Sequence, residues 1–161
     1  MSSPIVAALV VTHDGARWLP QVIEGLREQR RRPDHLVFVD TGSRDESVQL
    51  ASAIVGEAAV VRLPGSTGFP QAVAAGLEHL RATGVEPEWL WILHDDSRPA
   101  PAALGRLLER VEQDPDADFV GPKLREWPSL RRLLEVGITM SGTGRRETGL
   151  ERGEYDQGQH D

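Results

Sequence analysis

The chain has 161 residues, 39% of them hydrophobic and 27% charged, a formal net charge of −7, and no cysteine. That length suits a soluble domain burying roughly two-thirds of its unfolded surface, and the missing thiols exclude disulfides and cysteinyl metal sites. The negative charge excludes a general nucleic-acid or anionic-membrane binder, and a phosphate ligand would need a cation or a local arginine to offset repulsion.

Ile5–Thr12 is apolar and β-branched and reads as a buried strand. It is too short to span a bilayer and has no basic flank of a signal peptide, so the expectation is no membrane span and a cytoplasmic location. Trp18–Arg30 has helical spacing at Trp18, Leu19, Val22, Ile23 and Leu26. Leu36–Asp40 is a second strand, and Ser43-Arg44-Asp45-Glu46 has the S-x-x-E form of a capping box opening a helix through Ile54. Ala58–Leu63 is a third strand, ended by Pro64-Gly65. Phe69–Arg81 is a third helix that tolerates Pro70 in its first turn. Trp89–His94 reads as a buried central strand, Ala102–Gln113 as a fourth helix, and Phe119–Gly121 as a brief fifth strand. Alternation at βαβ spacing predicts a three-layer α/β/α fold on a mostly parallel sheet. After Arg125 the rhythm fails. Leu130–Met140 reads as a helical turn or a strand, and Gly142–Asp161 as a polar, glycine-rich stretch without order.

Three strand ends carry the chemistry: Thr12-His13-Asp14-Gly15, Asp40-Thr41-Gly42-Ser43 and His94-Asp95-Asp96-Ser97. A parallel sheet brings all three to one rim, where open α/β sheets bind ligands. Folding gains nothing from two adjacent carboxylates, so Asp95 and Asp96 point to a hard divalent cation, Mg²⁺ or Mn²⁺, with His94 tilting the choice to manganese. The structural alternative makes Asp96 or Ser97 a helix cap and Asp95 a solvated turn residue. Asp40 either accepts a hydrogen bond from a nucleobase ring N–H or makes an Asx turn onto Gly42. His13 and Asp14 are donor-site candidates or simple loop residues. Gly65-Ser66-Thr67-Gly68 would let helix amides approach an anion. It fits neither a dinucleotide fingerprint nor a P-loop. Trp18, Trp89, Trp91 and Trp127 read as packing residues, and Arg145-Arg146 as a solvated pair or a diphosphate contact.

Taken together these residues resemble the nucleotide-sugar-binding half of the family 2 glycosyltransferases, which have the GT-A fold. Val10-Val11-Thr12-His13-Asp14 is similar to the family's "VVTYN"-like turn, and Val39-Asp40-Thr41-Gly42-Ser43-Arg44-Asp45 to its "VDDGSTD" segment. Gly68-Phe69-Pro70-Gln71-Ala72-Val73-Ala74-Ala75-Gly76 resembles the helix after the third strand, and His94-Asp95-Asp96-Ser97 stands where the family keeps its D-x-D motif. The resemblance covers residues 4–125. Gly121-Pro122-Lys123 and Gly142-Thr143-Gly144-Arg145-Arg146 look like bacterial, actinobacterial-type cell-wall or rhamnosyl-transferase members.

The resemblance implies a donor-binding domain over 1–125 and the start of an acceptor-side region over 126–161, truncated and partly without order. Thr12, His13 and Asp14 would border the nucleotide and Asp40 would hold the base, with Gly42 and Gly68 in the same donor-binding set. Asp96 would bind the metal, Asp95 would face donor sugar or ribose, and His94 takes the slot of the first metal-binding aspartate. The implied reaction is metal-dependent, inverting transfer of a sugar from a nucleotide-diphospho-sugar to a glycan or lipid-linked acceptor, for a polysaccharide or the cell envelope. The catalytic base is expected beyond Asp161, so these 161 residues would bind donor and transfer sugar poorly, with the full-length protein at the cytoplasmic face of a membrane. A phosphoacceptor domain would need its acidic pair after the first strand, where Thr12-His13-Asp14 stands. A nucleotidyltransferase would need a glycine- and arginine-rich loop there, of which Asp14-Gly15-Ala16-Arg17 is a faint echo. A non-catalytic nucleotide-binding module of similar layout is the remaining alternative.

Overall fold

The computed structural model describes residues 3–137, 139–147 and 149–160, and its contacts divide the chain into two units, 1–105 and 106–161. The first unit is built on four parallel strands, β1 (Val6–Thr12), β2 (His35–Asp40), β3 (Val60–Arg62) and β4 (Trp89–His94), in the order β3-β2-β1-β4. Every residue of β1 is buried, as expected of a parallel strand covered on both faces, and this explains why its sequence does not alternate. On one face Ala7, Leu9, Val11, Val37 and Val39 pack with Ala72 and Leu80 of α3 (Phe69–Ala82). The other face presents Val6, Ala8, Val10 and Phe38, all fully buried.

Helix–sheet contact is close because α3 carries a glycine where it crosses the strands. A Cβ at Gly76 would stand 2.3 Å from Leu9 Cδ1 and 2.9 Å from Val39 Cγ2, so any side chain there would lift the helix off the sheet. Helix α1 (Leu19–Arg27) starts with a proline in its first turn and buries Leu19, Val22, Ile23 and Leu26. It packs against α2 (Ser47–Val55), which lies on β2 and β3. A 3-10 turn over Glu57–Ala59 leads into β3. Helix α4 (Ala103–Gln113) spans the division between the units.

In the second unit β5 (Lys123–Arg125) pairs antiparallel with β6 (Leu133–Val136), and β7 (Thr139–Met140) with β8 (Arg146–Glu147). Arg132 and Tyr155 form an isolated bridge across the stretch expected to lack order. Lys123 Nζ and Asp156 Oδ1 meet at 2.9 Å. Among the described residues no helix is long and apolar enough to cross a membrane.

Three local expectations are corrected. Trp89–His94 is not central: among the described residues β4 pairs only with β1 and forms an edge, with Ile92 44% exposed. Its apolar run reported strand correctly, but composition does not tell which strand gets two neighbours. Phe119–Gly121 is not a strand, and Phe119 is almost fully exposed; the pairing partner β6 selects Lys123–Arg125 instead. Ser43 does not cap α2, which begins at Ser47. Its hydroxyl accepts a hydrogen bond from Asp14 N–H at 2.9 Å, and Asp45 Oδ1 accepts from the Ser47 N–H at 3.0 Å. A carboxylate two residues before Ser47 has replaced the expected box.

Candidate functional site

The strand registers set the site. Thr12 lies opposite Asp40 across β1 and β2, and Val11 opposite His94 across β1 and β4, so the three expected strand ends meet at one carboxyl-terminal edge. Below them the sheet is fully apolar, and above them the chain must turn.

Asp95, the first residue after β4, does not extend into solvent. It is 6% exposed, and its Oδ2 accepts hydrogen bonds from Thr12 Oγ1 at 3.0 Å and from the His13 N–H at 2.9 Å. The reading of Asp95 as a solvated turn residue is therefore wrong; two donors, one from the last residue of β1 and one from the residue after it, are what allow a carboxylate to stay buried there. Gly15 makes the space: a Cβ there would lie 2.3 Å from Asp95 Oδ2 and 2.7 Å from Thr12 Oγ1.

The other Asp95 oxygen faces the site. His94 Nδ1 lies 3.0 Å from Asp95 Oδ1 and 2.9 Å from Asp96 Oδ1, while Asp96 is largely exposed. One nitrogen and two carboxylate oxygens thus converge, all within 4.8 Å of one another. Such a mixed set suits a divalent cation accepting both oxygen and imidazole ligands. The His94 ring stacks on Phe69, with centroids 5.7 Å apart and planes at 23°. Neither Asp96 nor Ser97 caps α4, since Ser97 Oγ donates back to the His94 carbonyl at 2.7 Å.

The loops after β1 and β2 are cross-braced. Asp14 holds a left-handed backbone (φ 49°), and its Oδ1 accepts from the Arg44 N–H at 2.7 Å. The Gly15 N–H donates to Ser47 Oγ at 2.9 Å, the Ala16 N–H to Asp45 Oδ2 at 2.9 Å, and Ser47 Oγ donates to Asp45 Oδ1. Burial acts to raise the Asp45 carboxyl, but the hydrogen bonds from Ser47 Oγ and from the Ala16 and Ser47 amides outweigh it and hold it below the ordinary 3.8. His13 turns back to β2, its Nδ1 2.8 Å from the Thr41 carbonyl. A carbonyl only accepts, so Nδ1 is the donor of that contact.

A cleft of about 280 Å³ opens between these loops, lined by Thr12, His13, Thr41, Thr67, Phe69, His94 and Asp95 among others. Of the sequence-derived set, Thr12, His13, His94 and Asp95 line it, with Asp96 beside it through His94. Asp14 is committed to the Arg44 amide. Asp40 is 3% exposed and makes the Asx turn: its Oδ2 accepts from Gly42 N–H at 3.0 Å and Ser43 N–H at 3.1 Å. Its Oδ1 is buried with no hydrogen-bond partner among the described residues, and Asp40 is not among the residues that line the cleft. Gly42 adopts φ 79°, and a Cβ there would meet Gly65 N at 2.6 Å. Gly68 is the residue before α3 and makes no side-chain cap. Arg145 lies in the second unit, and the Arg146 side chain lies outside the described residues. The sequence placed Thr41, Thr67 and Phe69 in segments it singled out without giving any of them a role in the site, and it missed Asp45, a second carboxylate in one of those segments, as the brace.

The sequence model of the family described as Glycosyl transferase family 2 matches residues 7–139. Galactofuranosyltransferase GlfT1 of Mycolicibacterium smegmatis is 33% identical over 99 residues, covering 60% of this chain and 31% of that protein. Its Mycobacterium tuberculosis (H37Rv) counterpart is 33% identical over 117 residues, 67% of this chain and 36% of that one. The chain thus spans about a third of the length of the curated relatives it matches. Among solved structures, S. aureus TarS 1–349 in complex with UDP-GlcNAc superposes with a TM-score of 0.51 at 19% identity, over 67% of this chain and 31% of that one. TarS 1–349 alone gives 0.53 at 13% identity, over 75% and 39%. At that identity the likeness shows the fold.

Proposed function

The chain belongs to glycosyltransferase family 2, and on that premise we propose that its acidic rim is the donor half of a sugar-transfer site, binding a nucleotide-diphospho-sugar together with Mn²⁺ or Mg²⁺. The observation that carries this is the convergence of His94 Nδ1 with the Asp95 and Asp96 carboxylates within 4.8 Å, at the mouth of a cleft next to three strand ends. An acidic chain has little other reason to concentrate charge where a diphosphate would have to sit. His94, Asp95 and Asp96 would hold the cation, with the imidazole favouring Mn²⁺. A divalent ion in such a site supplies positive charge against which a leaving diphosphate is stabilised.

The chain's own residues do the rest of the binding. Asp40 Oδ1 is an acceptor without a hydrogen-bond partner among the described residues; it is covered in this structure, and donor binding would have to uncover it for a ring N–H of the base, as uracil presents, to reach it. Thr12 and His13 border the nucleotide, and Gly42 and Gly68 belong to the loops beside it. Asp95, fixed to β1, gives the sugar-facing side a rigid wall. TarS is described in complex with UDP-GlcNAc and with UDP, which makes a UDP-sugar the first donor to try, and the GlfT1 relatives are named for galactofuranosyl transfer, which makes galactofuranose the first sugar; a cell-envelope glycan or lipid-linked acceptor is our reading for the partner. Displacement at the anomeric carbon with inversion is the chemistry we assign to the whole protein, and no residue of this chain is assigned to deprotonating the acceptor.

Calorimetry with UDP, GDP and dTDP, each with and without Mn²⁺ and repeated on Asp96→Ala, tests the reading. UDP should bind, more tightly with Mn²⁺, and the variant should lose the metal's effect. Binding indifferent to both metal and substitution overturns it.

A further inference from the structure

The segment that carries Asp96 is tied down from a direction the donor site does not explain. Between β4 and α4 the chain runs through Asp95–Ala102, and its second half is fastened to the end of α1. Gln29, two residues past Arg27 at the end of α1, is 4% exposed and uses both ends of its amide. Its Nε2 donates to the Ala100 carbonyl at 2.7 Å and the Gly25 carbonyl at 2.9 Å, and its Oε1 accepts from the Leu104 N–H at 3.1 Å. Leu104 lies in the first turn of α4, where backbone N–H groups have no partner within the helix. The Arg30 N–H donates to the Pro101 carbonyl at 2.8 Å. Gly25 lets Pro99 lie flat on the helix: a Cβ there would stand 2.8 Å from Pro99 Cδ and 2.9 Å from the Pro99 carbonyl oxygen. Arg98 reaches Glu24 at 3.2 Å and Glu28 at 3.0 Å.

A buried glutamine is a costly choice in a helix-to-loop junction. An apolar residue would pack as well, and each amide atom must find a partner or forfeit its solvation. What the glutamine provides is direction. It sets where residue 100 and the start of α4 sit relative to α1, while Thr12 and His13 set Asp95 relative to β1. Residues 96–99 lie between these two anchors: Asp96 sits in a turn that the Ser97 N–H at 3.2 Å and Ser97 Oγ at 2.7 Å close on the His94 carbonyl, and the exit of that turn is what Pro99 and Ala100 fix against α1.

We propose that Gln29 is a positioning residue for the acidic rim: through Ala100 and Leu104, with Gly25 against Pro99, it holds Asp96 at the distance from Asp95 and His94 that lets the three share one cation. The inference rests on the donor-site reading for its ligand, and on the α1 contacts alone for its geometry. Groups that support a metal's ligands without touching the metal commonly change its affinity by about 10- to 100-fold when replaced.

The test uses two variants that disturb the same segment by different means. Gln29→Met keeps the volume and removes all three hydrogen bonds. Gly25→Ala raises helix propensity and pushes Pro99 away. Both should weaken Mn²⁺ binding in the presence of UDP by about tenfold or more, leave metal-free UDP affinity unchanged, and accelerate amide exchange at Ser97 and Leu104 while Leu9 and Val39 stay protected. A variant that lowers the melting temperature but binds Mn²⁺ as the parent does would reduce Gln29 to a stabilising contact and overturn the proposal. So would exchange that rises equally at Leu9 and Val39, or failure of both variants to fold, since the bonds would then belong to the global core. If the parent protein itself binds neither UDP nor Mn²⁺, the donor-site reading has failed, and the exchange rate at Ser97 alone decides whether Gln29 holds that segment.

Discussion

Asp95 Oδ2 accepts a hydrogen bond from the backbone N–H of His13 at 2.9 Å, joining the exits of two neighbouring parallel strands through a buried carboxylate. The two acids of the motif thereby divide their labour. Asp95 is a structural joint whose second oxygen looks outward, whereas Asp96 is 62% exposed and, among the described residues, its carboxylate meets only His94. Their alanine variants should separate cleanly. Asp95→Ala leaves the His13 amide and the Thr12 hydroxyl without an acceptor and should cost about 1–3 kcal/mol of stability. Asp96→Ala should stay within about 0.5 kcal/mol of the parent and still lose the effect of Mn²⁺ on UDP binding. Urea denaturation beside calorimetry checks both. Equal destabilisation by the two substitutions would contradict the division.

Gly15 is the steric counterpart of that joint. A methyl group at this position meets Asp95 Oδ2 at 2.3 Å and Thr12 Oγ1 at 2.7 Å, and neither atom can retreat without breaking the bond between them. Gly15→Ala should therefore destabilise by about 1–3 kcal/mol and weaken UDP binding, although alanine is otherwise tolerated in turns. A melting curve superimposable on the parent's would show that Asp95 has room to move, and the joint would lose its claim to rigidity.

Asp40 offers a test of base recognition without loss of fold. Its Oδ2 makes the turn onto Gly42 and Ser43, while Oδ1 is buried and unpartnered. Asp40→Asn can keep the turn through its amide oxygen and must then place N–H donors where the free acceptor stood. UDP affinity should fall about tenfold or more, because a donor would face the donor of the base, with a melting temperature close to the parent's. Unchanged affinity would remove Asp40 from the site.

Much of this was legible from the residues, and the failures have a common origin. β1 through β4 were readable because an apolar run ending at a polar turn has few other meanings, and the three strand ends shared an edge because parallel pairing leaves no choice. The resemblance pointed to His94, Asp95 and Asp96 as a group. What sequence could not tell was neighbourhood. Whether Trp89–His94 is central or edge depends on which strands pair, and Phe119–Gly121 lost to Lys123–Arg125 because β6 offered the latter a partner. The roles of Asp14 and Asp45 were hidden for the same reason. Their hydrogen bonds run between loops roughly thirty residues apart, to Arg44 and Ala16, and no local pattern encodes such a pair.

Asp45 also predicts how the site responds to acid. Its carboxyl is held below the ordinary 3.8 by hydrogen bonds from Ser47 Oγ and the Ala16 and Ser47 amides, which outweigh the opposing effect of burial. A carboxyl depressed in the folded state favours folding at any pH above its ordinary value, because the charged form is the one the amides hold. As pH falls from the ordinary range toward the lower folded value the unfolded chain takes up the proton first, and that contribution drains away. Asp45→Asn should remove this part of the acid limb, flattening stability against pH below about 4 while leaving the profile near neutrality parallel to the parent's. At pH 7 the variant should be less stable by about 1 kcal/mol, because both carboxylate oxygens accept hydrogen bonds and an amide must place N–H donors at one of them. Because the same carboxylate holds the Ala16 amide, the loop after β1 should loosen too, seen as faster amide exchange at Ala16. An acid limb identical in parent and variant would mean that other carboxylates govern acid unfolding and that Asp45 braces the two loops without its charge.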